Sequence, residues 1–258
     1  MFLLPCLVSP GQEKESPPPV EVRRALPATS ATCEERSPLC ITVEGLFGKG
    51  GALGDRVLTP AEGERILPHL SHETLKARLT GDRGIDLLMI AIAERDLPYA
   101  TLLLQSGASP HRRSANGATA IDFACQNADI SAQRLLLGRD PSWKEPDITV
   151  HLAKQTLVMM VEGRSTPVRI PVATGGDSTP TPTGIFVITE KARNYRSKSA
   201  DLSMPYFMRL GNTGTGLHEG HVGAGPVSKG CIRLRSGDAG FVFRNAKLGD
   251  IVSISTTP

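Results

Sequence analysis

The sequence predicts a multidomain α + β protein, with helical repeats in its N-terminal part and a mostly-β domain in its C-terminal part. One observation is a self-similarity at a spacing of 33 residues, which is typical of repeats built from pairs of short helices. Another is the change from helical to strand-like hydrophobic spacing across Pro141–Pro146, a segment with turn residues at both ends. The length of 258 residues allows two small domains.

Residues 1–44 are predicted to be an export remnant and a Pro-rich linker, largely disordered. Met1–Val8 is apolar like the core of a secretory signal, but it is short and has no basic segment before it. A misassigned start or an unusual export signal would explain this, and a lipid anchor at Cys6 is an alternative that Pro5 disfavours. Pro10–Arg36 is rich in Pro, Glu, Lys and Ser and cannot bury a core.

Residues 45–145 are predicted to form a helical cap followed by repeats. Thr59–Glu62 has a capping residue, a proline at the first helical position and an early carboxylate, and a second short helix is expected from Ser71 to Leu79. Residues 82–114 align with the residues from Ala115 onward, so that Gly84 falls on Gly117. The pattern resembles degenerate ankyrin repeats, which need stacked neighbours to bury their cores. The preceding helices are therefore expected to cap them.

Residues 146–258 are predicted to form the mostly-β domain. Short β-rich segments separated by Gly and Pro turns indicate strands, and one helix is expected near the end, at Asp238–Ala246. The predicted strands are Ile148–Leu152, Thr156–Val161, Val168–Val172, Gly184–Ile188 and Ile251–Ile254.

Composition limits the possible partners and the compartment. The net charge is only +3, with basic residues dispersed along the chain, so no nucleic-acid partner is expected. No segment is long and apolar enough to predict a transmembrane helix. Cys33 and Cys40 would close a short loop in an oxidising compartment, or would stay as two thiols; both interpretations are kept.

Two neighbouring segments carry the chemistry. Ser228–Leu234 places Cys231 between a glycine and a hydrophobe–arginine pair, and Gly216–His221 supplies two histidines just upstream. A thiolate is a strong nucleophile, and a nearby imidazole or cation lowers the pKa of its thiol. Glycine permits a close backbone approach, so the amides of Gly230 and Cys231 are candidate oxyanion donors. In isolation, a lone cysteine more often is a buried structural thiol.

These motifs resemble the YkuD-type L,D-transpeptidase domain of bacterial cell-wall enzymes. The family has a histidine, a spacer and then Ser/Thr-His-Gly-Cys-hydrophobe-Arg/Asn, which match His218 and Ser228–Arg233 here. The resemblance covers about Asp147 to Thr256, and it implies a β-sandwich-like sheet with the cysteine in a cleft. Lys229 departs from the pattern, because the family usually has histidine there. Further matching blocks are Gln155–Leu157, Pro171–Gly175, Thr181–Phe186, Met204–Leu210 and Gly249–Val252.

The resemblance implies that Cys231 is the nucleophile and His218 the general base. A backbone carbonyl near Glu219 is expected to fix the tautomer of His218, since no Asp or Asn stands at an obvious third position. Ser228 is expected to steady the turn and Gly230 to serve the oxyanion site. His221 is a rival base, with a loop histidine as the alternative.

Three further residues are candidates for substrate binding, together with His221. Arg233 suits a stem-peptide carboxylate, or else a structural salt bridge. Lys229 would favour the thiolate electrostatically, or else is a solvated lysine. Tyr206 would line the cleft, or else is a core aromatic residue. A zinc site at the two histidines and the cysteine lacks a fourth ligand, so no metal and no cofactor are expected.

The sequence therefore predicts a cysteine-dependent L,D-transpeptidase that acts on peptidoglycan stem peptides in the periplasm or cell envelope. An L,D-carboxypeptidase with the same site is an alternative, because water then replaces the acceptor amine. A second alternative is an ankyrin-type binding protein with a degenerate cell-wall domain, which the substitution at Lys229 favours. In either case the ankyrin-like region is expected to bind a protein partner.

Overall fold

The computed structural model describes residues 38–47, 57–71, 84–197, 201–223 and 225–257. Close contacts divide the chain into two compact units, residues 1–123 and 124–258. The predicted export remnant, most of the linker and the helix expected from Ser71 lie outside the described residues, as does Cys33. Each helix in the described ranges is too short or too polar to cross a membrane.

The first unit is helical. Its first helix begins before residue 45, where the linker was predicted to end, because Leu39, Cys40 and Val43 are buried on it. Thr59 is the predicted cap, and it forms a capping box with Glu62, in which each side chain accepts a hydrogen bond from the backbone amide of the other residue, at 2.9 and 3.3 Å. The helices are α1 (Pro38–Phe47), α2 (Pro60–Ile66), a 3-10 turn (Leu67–His69), α3 (Leu87–Ala93) and α4 (Leu97–Gln105).

The repeat is visible in the backbone as well as in the sequence. The chain continues through α5 (Ala120–Gln126) to α6 (Ile130–Leu136). Asp96 caps α4 and Asp129 caps α6, each by accepting a hydrogen bond from the amide three residues later, at 3.0 and 2.9 Å. Gly84 and Gly117 both have a positive φ, 84° and 79°. Equivalent positions thus have equivalent conformations, which confirms the ankyrin-like period.

The second unit is built on one mixed sheet with the strand order β3-β2-β1-β8-β4-β5-β6-β7. The five predicted strands are all present, whereas β6, β7, the bounds of β5 and the full length of β4 were not predicted. Pairing is parallel between β1 and β8 and between β6 and β7, and antiparallel elsewhere. The strands are β1 (Ile148–His151), β2 (Thr156–Met159), β3 (Val168–Pro171), β4 (Gly184–Ser197), β5 (Leu202–Leu210), β6 (Gly216–Glu219), β7 (Ile232–Leu234) and β8 (Ile251–Ser255).

Helix α7 (Ser236–Asn245) corresponds to the predicted C-terminal helix and packs against β5, β6 and β7. The core includes Met208 and Leu210 of β5, Leu217 of β6 and Ile232 and Leu234 of β7, together with residues of α7. Because side chains alternate along a strand, the residues between these point to the other face of the sheet. That face carries the candidate site.

The segment from α6 to β1 belongs to the second unit. Arg134 of α6 donates hydrogen bonds to the carbonyl of Gly249 at 2.7 Å and to that of Asp140 at 2.8 Å. Arg139 forms a 3.1 Å salt bridge with Asp250. The boundary between the two units therefore falls inside α5, about twenty residues before the boundary at residues 145/146 that composition predicts. That residues 146–258 fold independently stays a prediction.

Candidate active site

Cys231 ends a tight turn that leads directly into β7. Gly230 has a φ of 101°, a conformation that side-chain-bearing residues rarely adopt. Ser228 is buried and serves both sides of the turn, since its hydroxyl accepts the Gly230 amide hydrogen at 3.1 Å and donates to the carbonyl of Cys231. The supporting role predicted for Ser228 therefore has a concrete geometry.

A second loop holds this turn from outside. The Thr181 hydroxyl donates to the carbonyl of Gly230 at 2.9 Å and accepts the amide hydrogen of Gly175 at 2.8 Å. The carbonyl of Thr174 accepts the amide hydrogens of Val227 and Ser228, both at 2.9 Å. These threonines were found from the sequence only as matching blocks, without a role.

Position 175 has room only for glycine, because the backbone of the same loop passes close to its Cα atom. A Cβ atom on Gly175 would lie 2.2 Å from the carbonyl oxygen of Thr179, which is far inside van der Waals contact. The contact is local, because Gly175 and Thr179 are only four residues apart in the chain.

His218 is buried on β6 with only 3% of its surface exposed. Its Nδ1 lies 2.6 Å from the carbonyl oxygen of Glu219. A carbonyl only accepts, so Nδ1 carries the proton and Nε2 has a free lone pair. Burial lowers the pKa of His218, and the charge of Arg233 adds to this, while the hydrogen bond to Glu219 opposes it. The imidazole is therefore neutral at pH 7 and its tautomer is the one expected.

Strand register brings the three groups of the motif together. In the parallel pair of β6 and β7, His218 stands opposite Arg233. Leu217 and Ile232, the preceding pair, point into the core, so His218 and Arg233 share the opposite face. Cys231 lies two residues before Arg233, and the same alternation turns it toward that face. A base, a cation and a thiol are thus neighbours.

The electrostatic environment of Cys231 contains opposing contributions. Burial raises the pKa of the thiol, whereas a hydrogen bond from the Gly216 backbone and the charges of Arg233 and Arg209 lower it. Burial is the largest of these, so the resting group is a thiol. Its sulfur lies 3.8 Å from the carbonyl oxygen of Gly214, which accepts the S–H hydrogen. The sequence predicted a thiolate favoured by nearby charge, and the structure shows that burial outweighs this charge.

Arg233 is half-buried, and its stem passes close to Gly220. A Cβ atom on Gly220 would come within 3.0 Å of the Cδ atom of Arg233, so glycine makes room for this side chain. None of the salt bridges among the described residues involves Arg233. Its guanidinium is therefore available to an anionic ligand.

The remaining candidate residues lie in different environments. Lys229 and His221 are both exposed. The Tyr206 ring packs on the α7 side of the sheet, 5.6 Å from the ring of Phe243. That position corresponds to the core-aromatic alternative, because Tyr206 alternates with Phe207 and so points away from the face of His218. The amide hydrogen of Gly230 is donated to the Ser228 hydroxyl, so of the two amides predicted as oxyanion donors the Cys231 amide remains the candidate.

No group of three or more His, Cys, Asp or Glu residues suited to a metal ion occurs among the residues that the structure describes. The site instead joins a buried thiol, a neutral imidazole of fixed tautomer and two arginines. Such a group of residues can remove a proton from the thiol, attack an electrophilic carbon and return the proton to a leaving group.

Two family models match separate parts of the chain. Residues 145–254 match the family model of the L,D-transpeptidase catalytic domain, and residues 88–137 match that of ankyrin repeats. No curated protein matches the chain.

Solved structures that match the chain include L,D-transpeptidases at low identity. One from Mycobacterium smegmatis shares 20% identity over 43% of this chain and 59% of its own, with a TM-score of 0.40. One from Mycobacterium tuberculosis shares 23% identity over 43% and 58%, with a TM-score of 0.39. One from Stackebrandtia nassauensis shares 22% identity over 64% and 90%, with a TM-score of 0.38. The chain thus spans about three fifths of the length of the mycobacterial enzymes.

Proposed function

We propose that the protein is a cysteine-dependent acyltransferase acting on peptidoglycan stem peptides, on the premise that residues 145–254 match the family model of the L,D-transpeptidase catalytic domain. The observation that carries the proposal is the buried His218, whose Nδ1 hydrogen is held by Glu219 and whose strand lies beside Cys231.

The first half-reaction forms a thioester. His218 takes the thiol proton at Nε2 while the sulfur of Cys231 attacks the carbonyl that joins the third stem residue to D-alanine. The negative charge that develops on the carbonyl oxygen is stabilised by the amide hydrogen of Cys231. When the C–N bond breaks, His218 returns the proton to the leaving amine, and D-alanine departs.

The second half-reaction consumes the thioester. The side-chain amine of a second stem loses a proton to His218 and attacks the acyl carbon, and the sulfur leaves and regains a proton. The product is a cross-link between third residues. If water replaces the amine, the same steps give a shortened stem and the protein is an L,D-carboxypeptidase.

Arg233 is proposed to bind the carboxylate of the stem peptide. Arg233 is half-buried and takes part in none of the salt bridges among the described residues, and guanidinium groups bind carboxylates through two parallel hydrogen bonds. The ankyrin repeats are proposed to bind a protein partner, and export to the cell envelope follows from the location of peptidoglycan.

The proposal is tested with purified protein and disaccharide tetrapeptide stems. We expect the wild type to release D-alanine, Cys231→Ala to release none, and Cys125→Ala to match the wild type. Product masses distinguish a cross-linked dimer from a shortened stem. Stoichiometric acylation of Cys231 by a carbapenem provides an independent readout of the nucleophile.

Release of D-alanine by a folded Cys231→Ala variant would reject the nucleophile. A wild type that neither releases D-alanine nor reacts with a carbapenem would favour the alternative of a binding protein with a degenerate cell-wall domain.

A further inference from the structure

Arg209 is a cation on β5 that the sequence motifs did not single out. Its guanidinium makes three polar contacts: Nε with Glu190 at 2.8 Å, Nη2 with the Tyr195 hydroxyl at 3.0 Å and Nη1 with the carbonyl oxygen of Thr213 at 3.1 Å. About a quarter of its side chain is exposed, 24%. An arginine held at all three nitrogens has one orientation.

Aromatic packing fixes the same group from another side. The rings of Tyr195 and Phe207 are stacked with centroids 4.2 Å apart. The guanidinium carbon of Arg209 lies 5.6 Å from the first centroid and 5.2 Å from the second. Phe207 and Arg209 are two residues apart on β5, so both point to the face of the sheet that carries His218.

Arg209 is connected to Cys231 by two sets of backbone contacts. It pairs with Gly216 across β5 and β6, and the backbone of Gly216 forms a hydrogen bond with the Cys231 sulfur. Arg209 also donates a hydrogen bond to the carbonyl oxygen of Thr213. The next residue, Gly214, accepts the thiol hydrogen at its own carbonyl oxygen, 3.8 Å from the sulfur of Cys231.

Glycine at 216 belongs to the same arrangement. A Cβ atom there would lie 2.5 Å from the Phe207 ring, so any larger residue would displace the ring next to Arg209.

We propose that Arg209 is a positioning residue for Cys231: it holds the loop 211–215 against the thiol and supplies a fixed positive charge to it, and Glu190 sets how much of that charge the thiol experiences. The inference rests on the proposed function only in taking Cys231 as the reactive thiol.

The charge of Arg209 acts in the direction that this role requires. Together with Arg233, it lowers the pKa of Cys231 against the larger opposite effect of burial. Glu190 is a direct partner of the same guanidinium and partly neutralises it at a distance of 2.8 Å. Removing the cation and removing its counterion must therefore change the thiol in opposite directions.

The test is the pH dependence of Cys231 alkylation by iodoacetamide in the full-length protein, followed by mass spectrometry of the peptide that contains Cys231. For Arg209→Met we expect the curve to move to higher pH and the rate at pH 7 to fall roughly twofold to tenfold. For Glu190→Gln we expect the curve to move to lower pH. Arg196→Met is the matched control, because Arg196 forms an exposed ion pair with Asp201, and its curve is expected to coincide with that of the wild type.

Opposite shifts of the two alkylation curves distinguish an effect of charge from a structural disturbance. If the substitutions only loosened the loop 211–215, both curves would move in the same direction. Coincident curves for Arg209→Met and the wild type, or shifts of one sign in both variants, would overturn the inference. If Arg209→Met does not fold, the Glu190→Gln variant is sufficient: an alkylation midpoint at the same pH as the wild type, or at a higher pH, would overturn the inference. Alkylation needs no stem peptide, so a failure of the proposed reaction would leave these curves as a separate result.

Discussion

At the scale of single residues, the site is a neutral pair rather than a preformed ion pair. Burial raises the pKa of Cys231 and lowers that of His218, so the proton stays on sulfur at neutral pH. In the proposed reaction the thiolate is therefore generated during the attack, so the position of the general base determines the rate. Of the two histidines in the motif, only His218 is buried with its tautomer fixed.

His218→Ala is therefore expected to reduce kcat/KM for D-alanine release roughly a hundred- to ten-thousandfold, the range for a positioned general base. His221→Ala is expected to change it much less, because His221 is exposed. Steady-state kinetics of the two variants, with circular dichroism as the control for folding, make the comparison. Equal losses, or a greater loss for His221→Ala, would transfer the role of base to His221.

At the scale of elements, the last repeat helix is joined to the catalytic sheet within one unit. Arg134 of α6 hydrogen-bonds the carbonyl of Gly249, just before β8, and Arg139 pairs with the buried Asp250. β8 lies between β1 and β4 in the middle of the sheet. A segment that the sequence places among the repeats therefore contacts the chain next to the middle strand of the C-terminal sheet.

Two truncations test this arrangement. A fragment of residues 146–258 is expected to fold, as its hydrophobic pattern predicts, but to unfold more easily than a fragment of residues 128–258. It loses the partners of Gly249 and Asp250, and leaving a buried polar group without its partner costs about 1–3 kcal/mol. Thermal or urea unfolding measures the difference.

Arg139→Met in the longer fragment is the matched point variant and should reproduce part of the loss. Equal stability of the two fragments would show that α6 contributes nothing to the sheet. An insoluble shorter fragment would show that the domain cannot fold without α6.

At the scale of the whole molecule, burial of His218 makes the stability of the folded protein depend on pH. The pKa of His218 is lower in the folded protein than in the unfolded chain, where it is near 6.5. Below that value the unfolded chain binds a proton that the folded protein does not, so stability falls as the pH decreases. Above it neither state is protonated and the effect vanishes.

The catalytic unit is therefore expected to lose stability between pH 7 and pH 5, and His218→Gln should show a smaller loss over the same interval. Urea unfolding of residues 124–258 at several pH values measures both. A loss of the same size in His218→Gln would assign the effect to other groups. Asp250 acts in the opposite direction, because burial raises its pKa and its protonation on acidification relieves the folded state.

Local patterns in the sequence were sufficient for much of this protein. The 33-residue spacing predicted the repeats, and alternating hydrophobic residues predicted β1 to β3 and β8. The cysteine motif predicts Cys231 and His218 as the reactive pair, which stays a prediction, and the expected carbonyl contact of His218 is present at Glu219. Each signal lies within a short segment, where backbone geometry alone determines which side chains are neighbours.

Which of these residues become neighbours depends on contacts that form only in the folded chain. The parallel pairing of β6 and β7 places His218 beside Arg233, and the pairing of β5 with β6 brings Arg209 near the thiol. Burial then reversed the expected direction for the pKa of Cys231 and placed Tyr206 against α7. Strand order, burial and charge environment depend on contacts between distant parts of the chain, and periodicity in one segment carries no information about them.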